Sequence, residues 1–562
     1  MKRNLVKLLM MAALLSMFAI VATGCRSDEG PAEGERVTVV MSINQENGAC
    51  DTDNDWKFDM VEYMEDLLNI NLVLRSQTMD QDTLMVAAGD IPDVFQAHTD
   101  FMPMLILGQH IAPLDDLVEA YAPDIAADTA RLDFLRRFQS EGTGQLWGIT
   151  NFRGSGGHGH SPGIGHFIRW DLYSQLGYPV MGGPDDIIDL LYQMVQLEPV
   201  NEHGAPNFGL GGFVDWGMWA FTVYGAVSNY AGTTLSQTLH IRDDGTHIHD
   251  LIDINGGIWS NFRHFNRADQ LGIFDRDSLV QTADEYYNKA GMGQYMSINA
   301  SWWITTFNNR QRELDPETIV GHAFMPFEGM WVYGNGQHPF GHFDNSFTIG
   351  ANSQVQPAAM RLINYLNSYD GVRTLMSGTM DTTLEMVNGR PEIRSYLIDP
   401  PIGEFPLDPI LWRNSNMMGI SPATIHPVDG QPLSLHLTPR AFALSNTHLD
   451  DVHSAHFGAE FPFGIVQRFV DDGRASDFSV WNSPLVGALE TPPMDIQRID
   501  TLLDEILWRY KPLAIMAESD EAFVAVFESA VAEFMAAGHQ ESVDWWTQAY
   551  HDAYAIVAEF IR

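Results

Sequence analysis

Three groups of residues in this 562-residue chain have types and spacings that could do chemistry. Asp51, Asp53, Asp55, Asp59 and Glu62 fall at positions 1, 3, 5, 9 and 12 of an EF-hand calcium loop. Position 6, where the tight turn needs glycine, is Trp56. The plainer reading is an acidic loop that caps the next helix and complements its dipole. His158, His160 and His166 lie in a glycine-rich stretch, and a His-x-His pair can chelate zinc. A polar lip over a cleft is the plainer reading there. Carboxylate pairs could hydrolyse glycosides. With 73 Asp and Glu in the chain, such pairs can be drawn at will and carry no signal. There is no P-loop or His-Glu-x-x-His motif. No catalytic residue, cofactor or metal is expected, with calcium the open alternative.

One thiol has a telling context. The apolar stretch Leu8–Ala22 follows Lys2, Arg3 and Lys7 and runs into Val21-Ala22-Thr23-Gly24-Cys25. It is shorter than the roughly 20 residues a membrane span needs. A basic start, an apolar middle and small residues at the end make an export signal. The ending resembles a bacterial lipobox. That implies a signal peptide over 1–24, diacylglycerol on Cys25, and a tether over 25–36 that holds the protein to the outer face of the cell membrane. An ordinary secretory signal with a chance cysteine is the alternative. Cys50, the other cysteine, has no partner for a disulfide framework and reads as a small buried hydrophobe.

The bulk numbers exclude several classes. The length suggests more than one domain, and 45% hydrophobic with 11% aromatic residues is globular. The net charge is −42; losing the three cations of the leader and no acid makes it −45. Only Lys57, Lys289 and Lys511 then remain as lysines. Such a surface repels nucleic acid and disfavours a polyanionic ligand, unless a local arginine pocket overrides it. Acidic, lysine-poor exteriors also suit salty or alkaline media. No stretch after the leader is long and apolar enough to cross a membrane.

The elements follow an α/β rhythm. Val37–Ile43 is apolar and β-branched and predicts a buried strand. Trp56, Met60, Met64 and Leu67 predict the inner face of a helix. Asn69–Leu74 reads as a strand, Thr83–Ala88 as a helix ended by Gly89, and Pro92–Phe95 as the start of another strand. Strand–helix–strand repetition predicts a parallel sheet covered by helices. Farther on, Arg169–Leu176, Asp185–Leu197 and Ala358–Tyr369 read as helices and Tyr295–Trp303 as a strand. Phe523, Phe527, Val531 and Phe534 form one stripe, ended by Gly538; Val543, Trp546, Tyr550 and Val557 form a second. Residues 386–500, rich in Pro, Gly and Asn, yield no clear elements.

Several segments resemble, in order, the extracellular solute-binding proteins of bacterial ABC importers. They are closest to the large Gram-positive lipoproteins that serve oligosaccharide uptake. The segments are Leu84–Val94 with its Gly-Asp-x-Pro-Asp, Ile111–Leu117 with Tyr121–Pro123, Gly144–Ile149, and Ile168–Leu172 with Leu176-Gly177. Gly291–Trp302 and Arg361–Leu366 with Gly371 complete the set. The resemblance implies a two-lobed, periplasmic-binding-protein-like α/β fold (type II) with a hinge and a ligand cleft. It divides the chain into lobe one over 37–150 and 318–352, and lobe two over 151–317 and 353–562. It implies a non-enzymatic carrier, a monomer, with an oligosaccharide and a permease as partners. One departure stands out. Related proteins often carry an Asp-Pro-Asn-Gly-Asn-Gly calcium-like loop; here the segment is Glu198-Pro199-Val200-Asn201-Glu202-His203-Gly204, with fewer donors for calcium.

A sugar has a C–H face and a rim of hydroxyls, so its site needs flat aromatics and hydrogen-bonding groups. Trp302 and Trp303 end the returning strand, where adjacent residues face opposite ways. Trp216, Trp219 and Tyr224 form a second aromatic group, and Trp331 and Trp412 are looser candidates. Polar candidates are Asn44, Gln45 and Asn47 after the first strand, Arg153 after the first crossing, and Asp344 and Asn345 in a loop before Ser346. Core packing or solvation is the alternative for each. Two rival functions stay open: a secreted glycan-degrading enzyme, and a binding protein for a non-sugar solute such as a peptide.

Overall fold

The computed structural model describes residues 36–44, 59–154, 164–183, 185–218, 220–221, 233–234, 240–241, 247–248, 250–332, 339–380, 382–398, 417–477, 485 and 487–560. Two sheets organise it. Strands β1 Val37–Asn44, β2 Ile70–Gln77, β3 Val94–His98 and β4 Ile149–Asn151 come first. β5 Ile164–Arg169, β6 Ser297–Ala300 and β7 His322–Phe324 follow, and β8 His342–Ile349 returns. The first sheet has the order β2-β1-β3-β8-β4, the second β7-β5-β6. β1 pairs in parallel with β2 from Val37–Ile70 to Asn44–Gln77, and in parallel with β3. β8 is antiparallel to both β3 and β4. The expected parallel sheet is therefore mixed, because β8 arrives from the second sheet and enters the first from its opposite end. The second sheet is antiparallel throughout.

Local chemistry accounts for the helices of the first lobe. α1, Asp59–Leu68, buries Val61 and Met64. Leu67, expected on that face, is 53% exposed. Glu65 turns inward instead, accepting the Leu72 amide at 2.7 Å. α2, Met79–Ala88, starts at a Thr78–Gln81 capping box and stops at left-handed Gly89. Its Val86 packs with Phe95 and Ala97 of β3, and its Asp82 lies close enough to His98, at the end of β3, to feel its charge.

Later helices divide between two cores. α3 Gly257–Gln270, α4 Thr305–Leu314, α6 Met494–Ile515 and α7 Asp520–Ala537 flank the second sheet; α5 Gln356–Leu366 packs on the first. Ala359, Met360, Ile363 and Leu366 of α5 share a core with Val39, Met41 and Phe347. Met417, Ile420, Leu433, Leu435 and Ala441 join that same core. Leu449, Ile465, Leu503 and Phe534 belong to the other. α8, His539–Phe560, bends 74° away from α7 at Gly538 and sends Tyr550 and Val557 into the first core. The expected boundaries at 318 and 353 therefore shift. β7 stays with the second sheet, and residues of 358–398 and 417–441 contribute to the first core. An apolar face signals burial, but either core could bury it. Among the described residues no single helix is long and apolar enough to cross a membrane.

Candidate functional site

The strand directions bring a set of side chains to one end of the first sheet. β1, β2 and β3 are parallel and end at Asn44, Gln77 and His98. β8 starts at that end, with Asn345 opposite His98. β4 finishes there, with Asn151 opposite His342, and leads to Arg153. Ligands of open α/β sheets lie beyond the carboxyl ends of the strands.

This end holds buried polar atoms that the protein leaves without hydrogen-bond partners. They are Ser42 Oγ, Gln77 Oε1, both carboxylate oxygens of Asp82, Thr99 Oγ1, Asn151 Oδ1 and Asn345 Oδ1. Ser42, Asp82 and Asn151 are almost wholly buried. Buried polar atoms are nearly always satisfied, so a run of orphans marks a place where something else supplies partners. Similar atoms occur elsewhere, among them Thr424 Oγ1, Arg373 Nε and Gln431 Oε1. Asp82 lies near the start of α2. Burial raises its carboxyl to about 6, against a lowering pull from His98.

The matching end of the second sheet is an aromatic wall. Ala300 of β6 pairs with Ile164, where β5 begins. The chain then turns through the short 3-10 helix Ser301–Trp303. Trp303 is 5% exposed, with ring centroids 5.1 Å from Phe213, 5.2 Å from Tyr286, 5.5 Å from Trp216 and 5.6 Å from Trp302. Trp302 and Trp216 are 39% and 43% exposed. Trp303 thus holds the wall while its two neighbours present surface. Beside them Asn299 is fully buried, with both amide atoms lacking partners. The two crossings, β4 to β5 and β7 to β8, join the ends just described. Polar rim and aromatic wall therefore flank one junction between the lobes.

The first crossing is pinned along 418–421. Phe152 and Arg153 donate their amides to Met418 and Gly419, and Ser421 donates back to Arg153. Gly154 has φ +136, and a Cβ there would lie 2.2 Å from Thr424 Oγ1. Arg153 itself is ion-paired with Asp128 at 3.1 Å. Behind it Arg131 is buried, donating to Thr150 Oγ1 at 3.2 Å and Asn367 Oδ1 at 3.1 Å.

Several expectations change. Trp302 and Trp303 lie in a helical turn, not a strand, yet one is exposed and the other buried. Trp216 belongs to the same cluster as Trp303 instead of a separate one. Asp344 and Asn345 lie within β8, not in a loop. Asn44 and Trp331 lie in strands by their backbone. Arg153 is engaged by Asp128 and not open as a fork. His166 sits on β5, buried, with Nδ1 3.0 Å from Ser297 Oγ and its ring 5.5 Å from His264. It is a core residue, not part of a lip. Trp219, Tyr224, Gln45, Asn47, Trp412, Cys25, Cys50, His158, His160, Asp51, Asp53, Asp55 and Trp56 lie outside the described residues. Ser42, Asp82, Asn151 and Asn299 were missed. The sequence signal for Ser42 and Asn299 is a polar side chain inside an apolar run, Met41-Ser42-Ile43 and Ile298-Asn299-Ala300; Asp82, in Asp80-Gln81-Asp82-Thr83, carries none.

In the segment 198–204 each carboxylate meets an arginine. Glu198 accepts from Arg169 at 3.0 and 3.1 Å, and Glu202 pairs with Arg310. Asn201 Oδ1 accepts the amides of His203 and Ala205.

No known family profile and no curated protein matches the sequence. Solved structures do match along nearly the whole chain. The alginate-binding protein AlgQ2, solved without calcium ion, aligns with TM-score 0.60 at 15% identity, over 93% of this chain and 100% of that one. A solute-binding protein of Bifidobacterium longum infantis, associated with an ABC transporter and described as HMO-binding, aligns with TM-score 0.58 at 13% identity, over 93% and 99%. The S. pneumoniae ABC-transporter substrate-binding protein FusA, in complex with kestose, aligns with TM-score 0.60 at 12% identity, over 92% and 99%. The chain has the two-lobed α/β fold of these solute-binding proteins.

Proposed function

We propose that this protein captures an extracellular oligosaccharide in the cleft between its lobes and delivers it to an ABC permease. The observation that carries this reading is the junction itself. Exposed Trp216 and Trp302 stand at the end of one sheet, and buried orphan polar atoms at the end of the other. A sugar ring offers a C–H face to the first and hydroxyls to the second. The neighbours named as binding alginate, HMO and kestose share the fold and support the choice of ligand class. The protein acts without making or breaking bonds. Ligand touching both lobes stabilises the closed state by RT ln(1 + [L]/Kd), which is about 2.7 kcal/mol at a hundredfold excess over Kd. Closure turns on the crossings, and the closed form is what the permease reads. Diacylglycerol on Cys25 keeps the carrier at the outer membrane face, beside its permease.

The test is a glycan panel read by Tm. One or more oligosaccharides raise Tm in proportion to log concentration, and Trp302→Ala weakens that glycan by about tenfold. A shift with peptides and none with any glycan removes the proposal. Product released from a glycan would favour the hydrolase instead.

A further inference from the structure

We propose that Asp275 is a positioning residue for the ligand: from inside the second lobe it fixes where Trp216 stands against Trp303, and so sets affinity without touching sugar. This rests on the proposed function and adds a residue to it. Asp275 is 1% exposed, so ligand does not reach it. Its Oδ2 accepts the Tyr295 hydroxyl at 2.6 Å and the Lys289 ammonium at 2.7 Å. Its Oδ1 accepts the Asp277 amide at 3.2 Å and so caps the short 3-10 helix Arg276–Leu279. Lys289, on the helix Ala283–Gly291, also reaches Asp277 at 2.8 Å. A buried ion pair adds little net stability over apolar residues of equal volume. Its hydrogen bonds are directional, and what they supply here is position.

Two routes lead from Asp275 to Trp216. The first runs through rings. Tyr295 stacks on Tyr286 at 4.8 Å and 23°, and Tyr286 meets Trp303 edge-on at 5.2 Å. Trp216 in turn leans on Trp303 at 5.5 Å. Burial and the neighbouring Asp275 carboxylate hold the Tyr295 hydroxyl well above its ordinary range, so it stays a donor in alkaline media. The second route is the backbone that carries Trp216. The Asp275 amide donates to the Leu210 carbonyl at 3.2 Å. Gly212 donates to Ser278 Oγ at 2.8 Å and accepts Gln281 Nε2 at 2.6 Å. The Val214 amide donates to the Gln281 carbonyl at 3.0 Å. Asp215 accepts the first amide of the helix that bears Lys289, at 2.8 Å. Gln281 Nε2 also donates to the Tyr295 hydroxyl at 3.2 Å, which ties the two routes together. The segment that presents Trp216 is thus fastened along its length to the loop and helix that Asp275 organises.

The experiment uses the full chain, the glycan that raises Tm, and calorimetric titration well below Tm. Trp216→Ala marks its own band in the near-UV circular dichroism of the unliganded protein by removing it. Asp275→Asn shifts that same band and weakens the glycan by about fivefold, with the far-UV spectrum unchanged. In the Trp216→Ala background Asp275→Asn costs no further affinity, because both act on one contact. Lys289→Met repeats the effect of Asp275→Asn and Lys289→Arg restores the parent, so a misfolded Asp275→Asn protein does not blunt the test. A lower Tm with affinity and the band unmoved, or losses that add in the double variant, overturns the inference and leaves the oligosaccharide reading standing. A parent that binds no glycan overturns both.

Discussion

At the residue scale the molecule holds ionisable groups in places that cost stability. Lys511 is 2% exposed, with its ammonium 3.8 Å from the Trp508 ring and 4.0 Å from the Phe221 ring. No hydrogen-bond acceptor reaches it. Burial lowers it to about 7. Between that value and the ordinary 10.5 the unfolded chain binds a proton the folded one refuses. Stability therefore rises with pH across this window. Lys511→Met is expected to raise Tm by about 2 °C at pH 7, the gain shrinking toward pH 10.5. A scanning-calorimetry series over pH checks this; a lower Tm for the variant at pH 7 would show that the cation–π contacts outweigh desolvation. Lysine is rare in this chain, and nothing in its sequence context separates a buried lysine from an exposed one.

At the element scale the hinge and the 198–204 loop can each be tested. Gly154 combines φ +136 with a close approach to Thr424 at the first crossing. Gly154→Ala should destabilise by about 1–3 kcal/mol. Denaturant unfolding measures it, and an unchanged midpoint would mean that the crossing relaxes freely. The loop's two glutamates are occupied by Arg169 and Arg310. Chelator is accordingly expected to move Tm by less than about 1 °C, whereas removal of a structural metal costs several kcal/mol. A large drop in EDTA, reversed by calcium, would restore the calcium alternative. Helix ends were legible because caps are local: Gly89 and Gly538 stop α2 and α7 as expected. The direction of β8 and the core chosen by α5 were not, since both depend on a strand more than 200 residues away in sequence.

At the scale of the whole molecule, opposing titrations shape stability. Burial holds His322 and His453 near 4, and each ring lies 2.8 Å from a backbone carbonyl, of Tyr295 and Phe324 respectively. Unfolded imidazoles take a proton near 6.5, so stability from these sites is complete above 6.5 and is lost as pH falls toward 4. Asp82 acts the other way. Its carboxyl, raised to about 6, keeps a proton that the unfolded chain releases near 3.8, so its contribution is present at low pH and lost as pH rises through 6. Two losses oppose one gain, so Tm should fall from pH 7 to 4.5. Asp82→Asn should raise Tm at pH 7 and steepen the acid decline. Parallel melting curves would refute this if the variant and parent tracked each other at every pH.

The sequence by itself determined what local chemistry controls. It specified strands and caps in the first lobe, an acidic surface, and aromatics at 216, 302 and 303 suited to stacking. The order of short motifs was enough to anticipate a two-lobed fold. Only the tertiary structure decided how the lobes divide the chain and which tryptophan supports and which presents. It also decided that Arg153 is answered by Asp128, that Ser42 and Asp82 lack hydrogen-bond partners near the end of the first sheet, and that Asn299 lacks them at the end of the second. The reason is physical. A side chain's propensity and polarity act on its nearest neighbours along the chain. Burial, charge pairing and orphaned hydrogen bonds are relations between segments that folding alone brings together.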